Sequence, residues 1–341
     1  SSVRDSEDRP EAMFQSMSTA LRLSDGRLLV GDEATRRLVL FDRRGEDLQA
    51  IGRAGAGPGE RRALTWVRLQ AGDSIVVYDR NLRRITQYVG PDVTRIWSLS
   101  DYGPFDSPVD AVGMLDGGRI VLRRTVSPAS EAGSTRAKDE LLTIDLATRR
   151  SRRLAEFDGD EIFVRRSSSG GRILGTPPLR RTSTVAVGNR VLAIGDSETG
   201  RIRVVRADSQ AVQEYEVRDG DRTLTEAGIV ARLDEMLRER PRPVSPQWER
   251  LQREMIATER FPAFGDLFID GADRLWIQRW DRSRRGGQSW IVIDLVSGDT
   301  AQSELPRYCR PTQITREMLT CVHSDPEEFP TASTFRLTRR R

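Results

Sequence analysis

The chain has 341 residues, 37% hydrophobic and 31% charged, with 55 Lys plus Arg against 51 Asp plus Glu and a net charge of +4. That length suffices for one large domain or two smaller ones, and the lack of any run of about 18 apolar residues argues against a membrane-spanning helix. Acidic residues alternate with the arginines and leave no basic stripe with interleaved aromatics, which argues against nucleic acid as a partner.

Residues 1–16 begin "SSVRDSEDRP", without the charged-then-apolar pattern of a signal peptide. If the chain is exported, its signal has been removed. The segment makes a poor strand and is read as an N-terminal piece that helps to close the fold.

Residues 19–52 read as strand, tight turn "SDGR", strand, polar turn "GDEATRR", strand, turn, strand. Residues 65–99 repeat this order, with turns "AGDS" and "YDRNLRR". Apolar residues alternate at Leu28 and Val30, and at Ile75 and Val77, as half-buried strands require. The glycine run "GRAGAGPGE", residues 52–60, separates the two units. Glu60 stands where a dinucleotide fingerprint needs its third glycine, and Pro58 where a P-loop needs lysine. The strand-like "ALTWVRL" that follows also replaces the helix both phosphate motifs require. The run is therefore a crossing between sheets, with an anion-binding nest as its alternative role.

The pattern returns over 109–124 with 139–157, over 183–217, over 267–280 with 288–305, and more weakly over 312–324 with 331–340. Six antiparallel four-stranded units at a spacing of about 45 residues predict an all-β, six-bladed β-propeller over residues 17–341. Residues 223–260, between the fourth and fifth units, read as a two-helix insertion. Thr223 with Glu226 suggests a capping box, and Ser245 with Pro246 an N-cap and first turn.

In such a ring, the loops joining second and third strands share one face with the crossings between blades. The long segments 124–139, 158–182, 218–264, 279–289 and 323–331 all fall there. Loops on a rigid scaffold are where binding sites concentrate. Lys138 is the sole lysine, so the cations are arginines. A GC-rich genome explains that bias, and so does selection for forked anion recognition. Arg61, Arg62, Arg180, Arg181 and Arg279, with Trp66, Trp280 and Asp266, are the candidate ligand-binding residues, for an anionic or carbohydrate ligand or a protein partner. Trp276 is expected nearby. The chain is expected to be a monomer.

Cys309 and Cys321 are the only cysteines and His323 the only histidine, too few for a tetrahedral zinc site. The two thiols are either a disulfide, implying an oxidising compartment, or separate free thiols. A Ser-His-Asp or Cys-His arrangement would have to use His323, and nothing in the sequence pairs it with a nucleophile. No catalytic residue is assigned.

"VYDRNLRRITQYV" resembles the core of the NHL repeat, and "IGRAGAGPGE" its glycine-rich segment between blades. "FPAFGDLFIDGADRLWIQRW" with "SWIVIDLVSGD" resembles a late blade of bacterial, mostly exported, six-bladed propellers of unassigned function. The resemblance covers roughly residues 17–340 and implies the propeller fold and a periplasmic, secreted or lipid-anchored location. Some six-bladed propellers hydrolyse lactones with a Ca²⁺ ion in the channel. That chemistry would draw here on Glu60, Asp110 and Asp266. Asn81 and Asn189 are the only asparagines to support it. Binding without catalysis and without a cofactor is thus the first expectation, and a Ca-dependent hydrolase the alternative.

Overall fold

Six antiparallel sheets follow one another along the chain and pack side by side as the blades of a propeller. The structure, a computed structural model, describes residues 2–3, 14–46, 48–102, 109–127, 132–166, 171–218, 220–238, 246–256, 260–280, 287–323 and 329–338. Blade 1 holds strands Met17–Arg22, Leu28–Asp32, Arg37–Phe41 and Leu48–Ala50. Blade 2 holds Trp66–Gln70, Ser74–Asp79, Arg84–Val89 and Asp92–Ser98. Blade 4 holds Ser183–Val187, Val191–Asp196, Arg201–Arg206 and Val212–Glu216. Blade 5 holds Phe264–Ile269, Leu275–Arg279, Gln288–Ile293 and Thr300–Leu305. Blade 6 combines Cys309–Ile314, Met318–His323 and Thr331–Arg336 with Ser2–Val3 from the other end of the chain, which pairs antiparallel with Thr331–Arg336.

Burial rises and falls across each blade, and the sequence follows it. The second strand of blade 2 is buried at every position because a neighbouring blade covers each face, hence the run "SIVVYD". Its fourth strand lies at the rim and is mostly exposed. Six apolar clusters result, one between each pair of adjacent blades. Tyr78 and Ile85 of blade 2 meet Met114 and Leu122 of blade 3 in one, and Val30 of blade 1 meets Val322 and Ala332 of blade 6 in another.

Blade 3 departs from the four-stranded expectation. Its strands are Val109–Leu115, Arg119–Ser127, Gly133–Asp145, Ser151–Arg166 and Arg172–Gly175, so much of segments 124–139 and 158–182 is sheet, not loop. The added length is mostly polar, and its apolar residues Ile162, Phe163 and Val164, and Ile173 with Leu174, stand in short runs without the alternation of the other strands. Arg136 holds it to blade 4. It donates to Gly159 O (2.7 Å), Asp158 O (3.1 Å), Ser183 Oγ (2.9 Å) and Asp196 Oδ2 (2.9 Å).

The first-to-second-strand turns form the lower face, and hydrogen bonds link them around the ring. Ser24 N–H and Oγ–H donate to Asp73, joining blades 1 and 2. Asp116 N–H donates to Asn189 O, joining blades 3 and 4. The backbone N–H of Asn189 and the guanidinium of Arg190 donate to Asp273, joining 4 and 5. Gly271 N–H donates to Ile314 O, joining 5 and 6. Arg22 and the Gln313 carboxamide exchange two bonds of 2.7 and 3.1 Å, joining 1 and 6. Arg68 of blade 2 reaches past blade 3 to Val187 O (3.2 Å) and Asn189 Oδ1 (2.6 Å) of blade 4.

Helices α1 (Glu226–Arg238) and α2 (Pro246–Glu254) lie between blades 4 and 5 in the chain. The cap of α1 is Thr225, whose Oγ1 accepts Gly228 N–H at 3.2 Å, and not Thr223. Thr223 is held in an isolated bridge to Arg260, which keeps the chain extended for two more residues. Ser245 lies outside the described residues. Cys309 and Cys321 form a disulfide between the first two strands of blade 6, with Cα atoms 5.4 Å apart.

Candidate functional site: an arginine-lined pocket on the upper face

The upper face carries the second-to-third-strand loops and the crossings, and its relief comes from blade 3 and the two helices. A cavity of about 550 Å³ lies between them, within the usual size of small-molecule sites. Blade 3 contributes Phe163, Arg165 and Leu174, and the crossing to blade 4 contributes Pro177, Pro178 and Arg180. The helices contribute Arg232, Leu251, Gln252 and Met255. Phe163 faces Gly175 across the last strand pair of blade 3. A Cβ on Gly175 would stand 2.4 Å from Met255 Sδ, so the Met255 side chain packs close against this strand. Ser134 Oγ donates to Met255 O at 3.4 Å, and Arg253 of α2 pairs with Glu226 of α1 at 2.7 Å.

The three arginines come from a strand, a crossing and a helix. Arg165 and Arg180 stand 3.8 and 3.9 Å from Glu254 and Asp160, beyond hydrogen-bond length. Arg232 pairs with Glu235 at 2.6 Å, while its buried Nε–H has no partner among the described residues. None of the described residues lining the cavity is acidic. Gln252 is 6% exposed, a buried amide, and with Thr176 it is the neutral polar part of a wall otherwise apolar and cationic.

The other residues singled out from the sequence have different places. Arg61 is 1% exposed and fastens blade 1 to blade 2. Its guanidinium donates to Arg36 O (3.2 Å), to Ile51 O and to Tyr88 Oη (3.4 Å). Arg62 has an exposed side chain, and its backbone N–H donates to Asp79 Oδ2 at 2.5 Å. Trp66 donates its indole N–H to Ala111 O at 2.8 Å and packs on Tyr78, so it belongs to the seam between blades 2 and 3. Arg181 clasps the buried Glu161 through both backbone and guanidinium, at 2.8 and 3.0 Å. Arg279 and Trp280 sit half-buried where the second strand of blade 5 ends. Trp276 is a core residue bonded to Asp270 at 2.9 Å.

Asp266 is on the innermost strand of blade 5. Its carboxylate is open to water but ringed by protein, which pushes its pKa up despite the opposing bond from Leu267 N–H and the field of Arg310. Arg310, on the innermost strand of blade 6, donates to Ser18 O of blade 1 at 2.6 Å. Asp110 lies on the innermost strand of blade 3 and is exposed. Glu60 is elsewhere, inside the glycine crossing. Gly57 N–H donates to its Oε2 (2.7 Å) and Arg53 Nε–H to its Oε1 (2.6 Å). The nest that could have held an external anion is thus filled by the chain's own carboxylate. These contacts hold the Glu60 pKa below its ordinary value, Gly57 N–H first. Glu60, Asp110 and Asp266 are not brought together. Among the described residues, the one group of three candidate ligand atoms within 4.8 Å is Cys309, Cys321 and His323, two of which share the disulfide.

Segment 158–182, expected from the sequence on this face, brings Arg165 and Arg180 to the cavity, whereas Arg232, Gln252 and the apolar wall were not expected there. Arg232 and Gln252 are ordinary helix residues by pattern, and only the docking of the helices on a fifth strand gives them a common cavity.

Blade count, blade order and the terminal pairing define a six-bladed β-propeller. A family model described as a 6-bladed beta-propeller matches residues 10–91. No curated protein matches the chain. Among solved structures the chain is similar to a Bacteroides fragilis protein described as exported, at 10% identity and a TM-score of 0.50, covering 99% of this chain and 94% of that one. It is also similar to a Xanthomonas campestris gluconolactonase at 10% identity and TM-score 0.49, covering 95% and 87%. A third is the Agrobacterium tumefaciens calcium-binding protein regucalcin, at 10% identity and TM-score 0.42, covering 94% and 90%. At such identities the likeness concerns the fold alone.

Proposed function

We propose that this chain is a non-catalytic binding protein that takes an anionic ligand on the upper face of its propeller. The observation that carries this reading is the cavity between blade 3 and the helices, where Arg165, Arg180 and Arg232 converge without a lining carboxylate among the described residues. Guanidinium groups recognise carboxylate and phosphate through paired N–H donors, and two of the three stand 3.8 and 3.9 Å from their acidic partners, without a hydrogen bond to them. A location outside the cytoplasm is supported by the Cys309–Cys321 disulfide and by the fold shared with a protein described as exported.

The test is thermal unfolding of the full chain against a panel of organic carboxylates and phosphates. A ligand that binds the native state raises Tm with concentration. The rise is expected in the wild type and in Arg218→Ala, a control whose side chain is 85% exposed beside Glu216. It should be lost in Arg180→Ala. A rise that survives Arg180→Ala removes this reading of the site.

A further inference from the structure

We infer that the ligand of this pocket is an amphipathic monoanion, a single carboxylate carried on an apolar body, rather than a small polyanion or a sugar. The inference rests on the pocket being the binding site proposed above and concerns what the rest of the wall demands. The arginines cover only part of the lining. Phe163, Leu174, Pro177, Leu251 and Met255 make up a wall with no hydrogen-bonding side chain. Water against such a surface is displaced favourably only by apolar matter. A small inorganic ion would satisfy the guanidinium groups and leave this wall wet. A sugar would find Thr176, Gln252 and the guanidinium groups for only some of its hydroxyls and would set the rest against Leu174, Pro177, Leu251 and Met255, with Phe163 as the one aromatic lining residue for a ring to rest on among those described.

Leu174 adds an independent observation. It is 63% exposed at the edge of the cavity, one of few large apolar side chains so placed among the described residues. A bound apolar body would cover it. The cations are also spread over three separate segments, and Arg232 is already engaged with Glu235 at 2.6 Å. That leaves Arg165 and Arg180, whose acidic partners are beyond hydrogen-bond length, to grip one carboxylate head. The buried Gln252 amide offers one further polar contact within the wall.

The test uses three soluble probes that separate head from body: 2-naphthoate, the uncharged 2-naphthol, and acetate. Each is titrated calorimetrically into the full chain near neutral pH. The expected result is 1:1 binding of 2-naphthoate, at least tenfold weaker binding of 2-naphthol, and no measurable binding of acetate. Arg180→Ala should weaken 2-naphthoate at least tenfold. Leu174→Ser changes an already exposed side chain and so spares the fold. It should weaken 2-naphthoate about threefold or more and leave Tm unchanged without ligand. Acetate or phosphate binding as tightly as 2-naphthoate, and lost in Arg180→Ala, would overturn the amphipathic class while the anion site stands. Equal binding of 2-naphthol and 2-naphthoate, unaffected by Arg180→Ala, would overturn both. No binding of any probe, with small polyanions raising Tm through Arg180, would again remove this inference alone.

Discussion

Arg68 and Asn189 join two blades that are not neighbours. The guanidinium leaves the innermost strand of blade 2 and donates to Asn189 Oδ1 at 2.6 Å in the first turn of blade 4. Burial pushes the Arg68 pKa down, while Asp116 and Asp273 oppose that shift. Arg68→Met keeps the apolar stem and removes the donors. Hydrogen bonds from charged groups contribute about 1.5–3 kcal/mol each, so the loss of unfolding free energy in urea should be about 2–3 kcal/mol. A double-mutant cycle with Asn189→Ala should show coupling of about 1 kcal/mol. Additive single-mutant effects would mean that the contact does not bind the blades together.

Glu60 predicts a pH dependence. Its folded pKa lies below the usual glutamate range, because Gly57 N–H and Arg53 favour the ionised form. A depressed carboxyl contributes stability above the unfolded pKa and loses it as pH falls through the folded pKa. Glu60→Gln should therefore be less stable than the wild type at pH 7, and the two should converge as pH falls through the folded pKa of Glu60. A gap that stays constant from pH 7 to pH 3 would show that the ionised carboxylate does not hold the crossing.

Asp266 predicts the opposite sign. The protein packed around it raises its folded pKa, so its contribution is most favourable at low pH and declines as pH rises from the unfolded value through the folded one. Asp266→Asn, which keeps an acceptor for Leu267 N–H, should be more stable than the wild type at pH 7 and equal to it near pH 3. Equal stability at both would mean that Arg310 fully offsets the burial.

The disulfide predicts sensitivity to reductant. Cys309 and Cys321 are 12 residues apart, and closing a loop of that size contributes about 3 kcal/mol on the chain-entropy model. A reducing agent should lower Tm, and Cys309→Ser with Cys321→Ser should have the same lowered Tm with or without it. A wild-type Tm indifferent to reductant would show that the cross-link contributes nothing.

The propeller was legible because its repeat is written in apolar alternation and turn residues, which local physics sets. "SDGR" and "AGDS" mark equivalent turns at Ser24 and Asp73, and the second strands are the most apolar because two blades cover them. The site was less legible because it depends on what packs beside what. Arg61 and Arg180 look alike in the sequence, each the first of an Arg-Arg pair at the foot of a blade. Arg61 meets three acceptors and vanishes into a seam, whereas Arg180 opens onto a cavity. Trp66 reads as a stacking platform until Ala111 O takes its N–H. The fifth strand of blade 3 was hidden for a related reason. It is four residues long and exists only because the segment 163–166 extends far enough to pair with it, an extension that the four-strand repeat does not encode.

The two hydrogen bonds between Arg22 and Gln313 span 291 residues of chain. Contacts this remote in sequence form late, because the intervening chain must be ordered before they repay its loss of freedom. Five blades must therefore be assembled while the seam between first and last is still open, its facing apolar residues around Val30 and Val322 in water. That open ring is the stage at which a newly made chain is most exposed to sticking to another copy of itself. Any factor that hastens the final seam would protect the yield of folded protein more than its equilibrium stability.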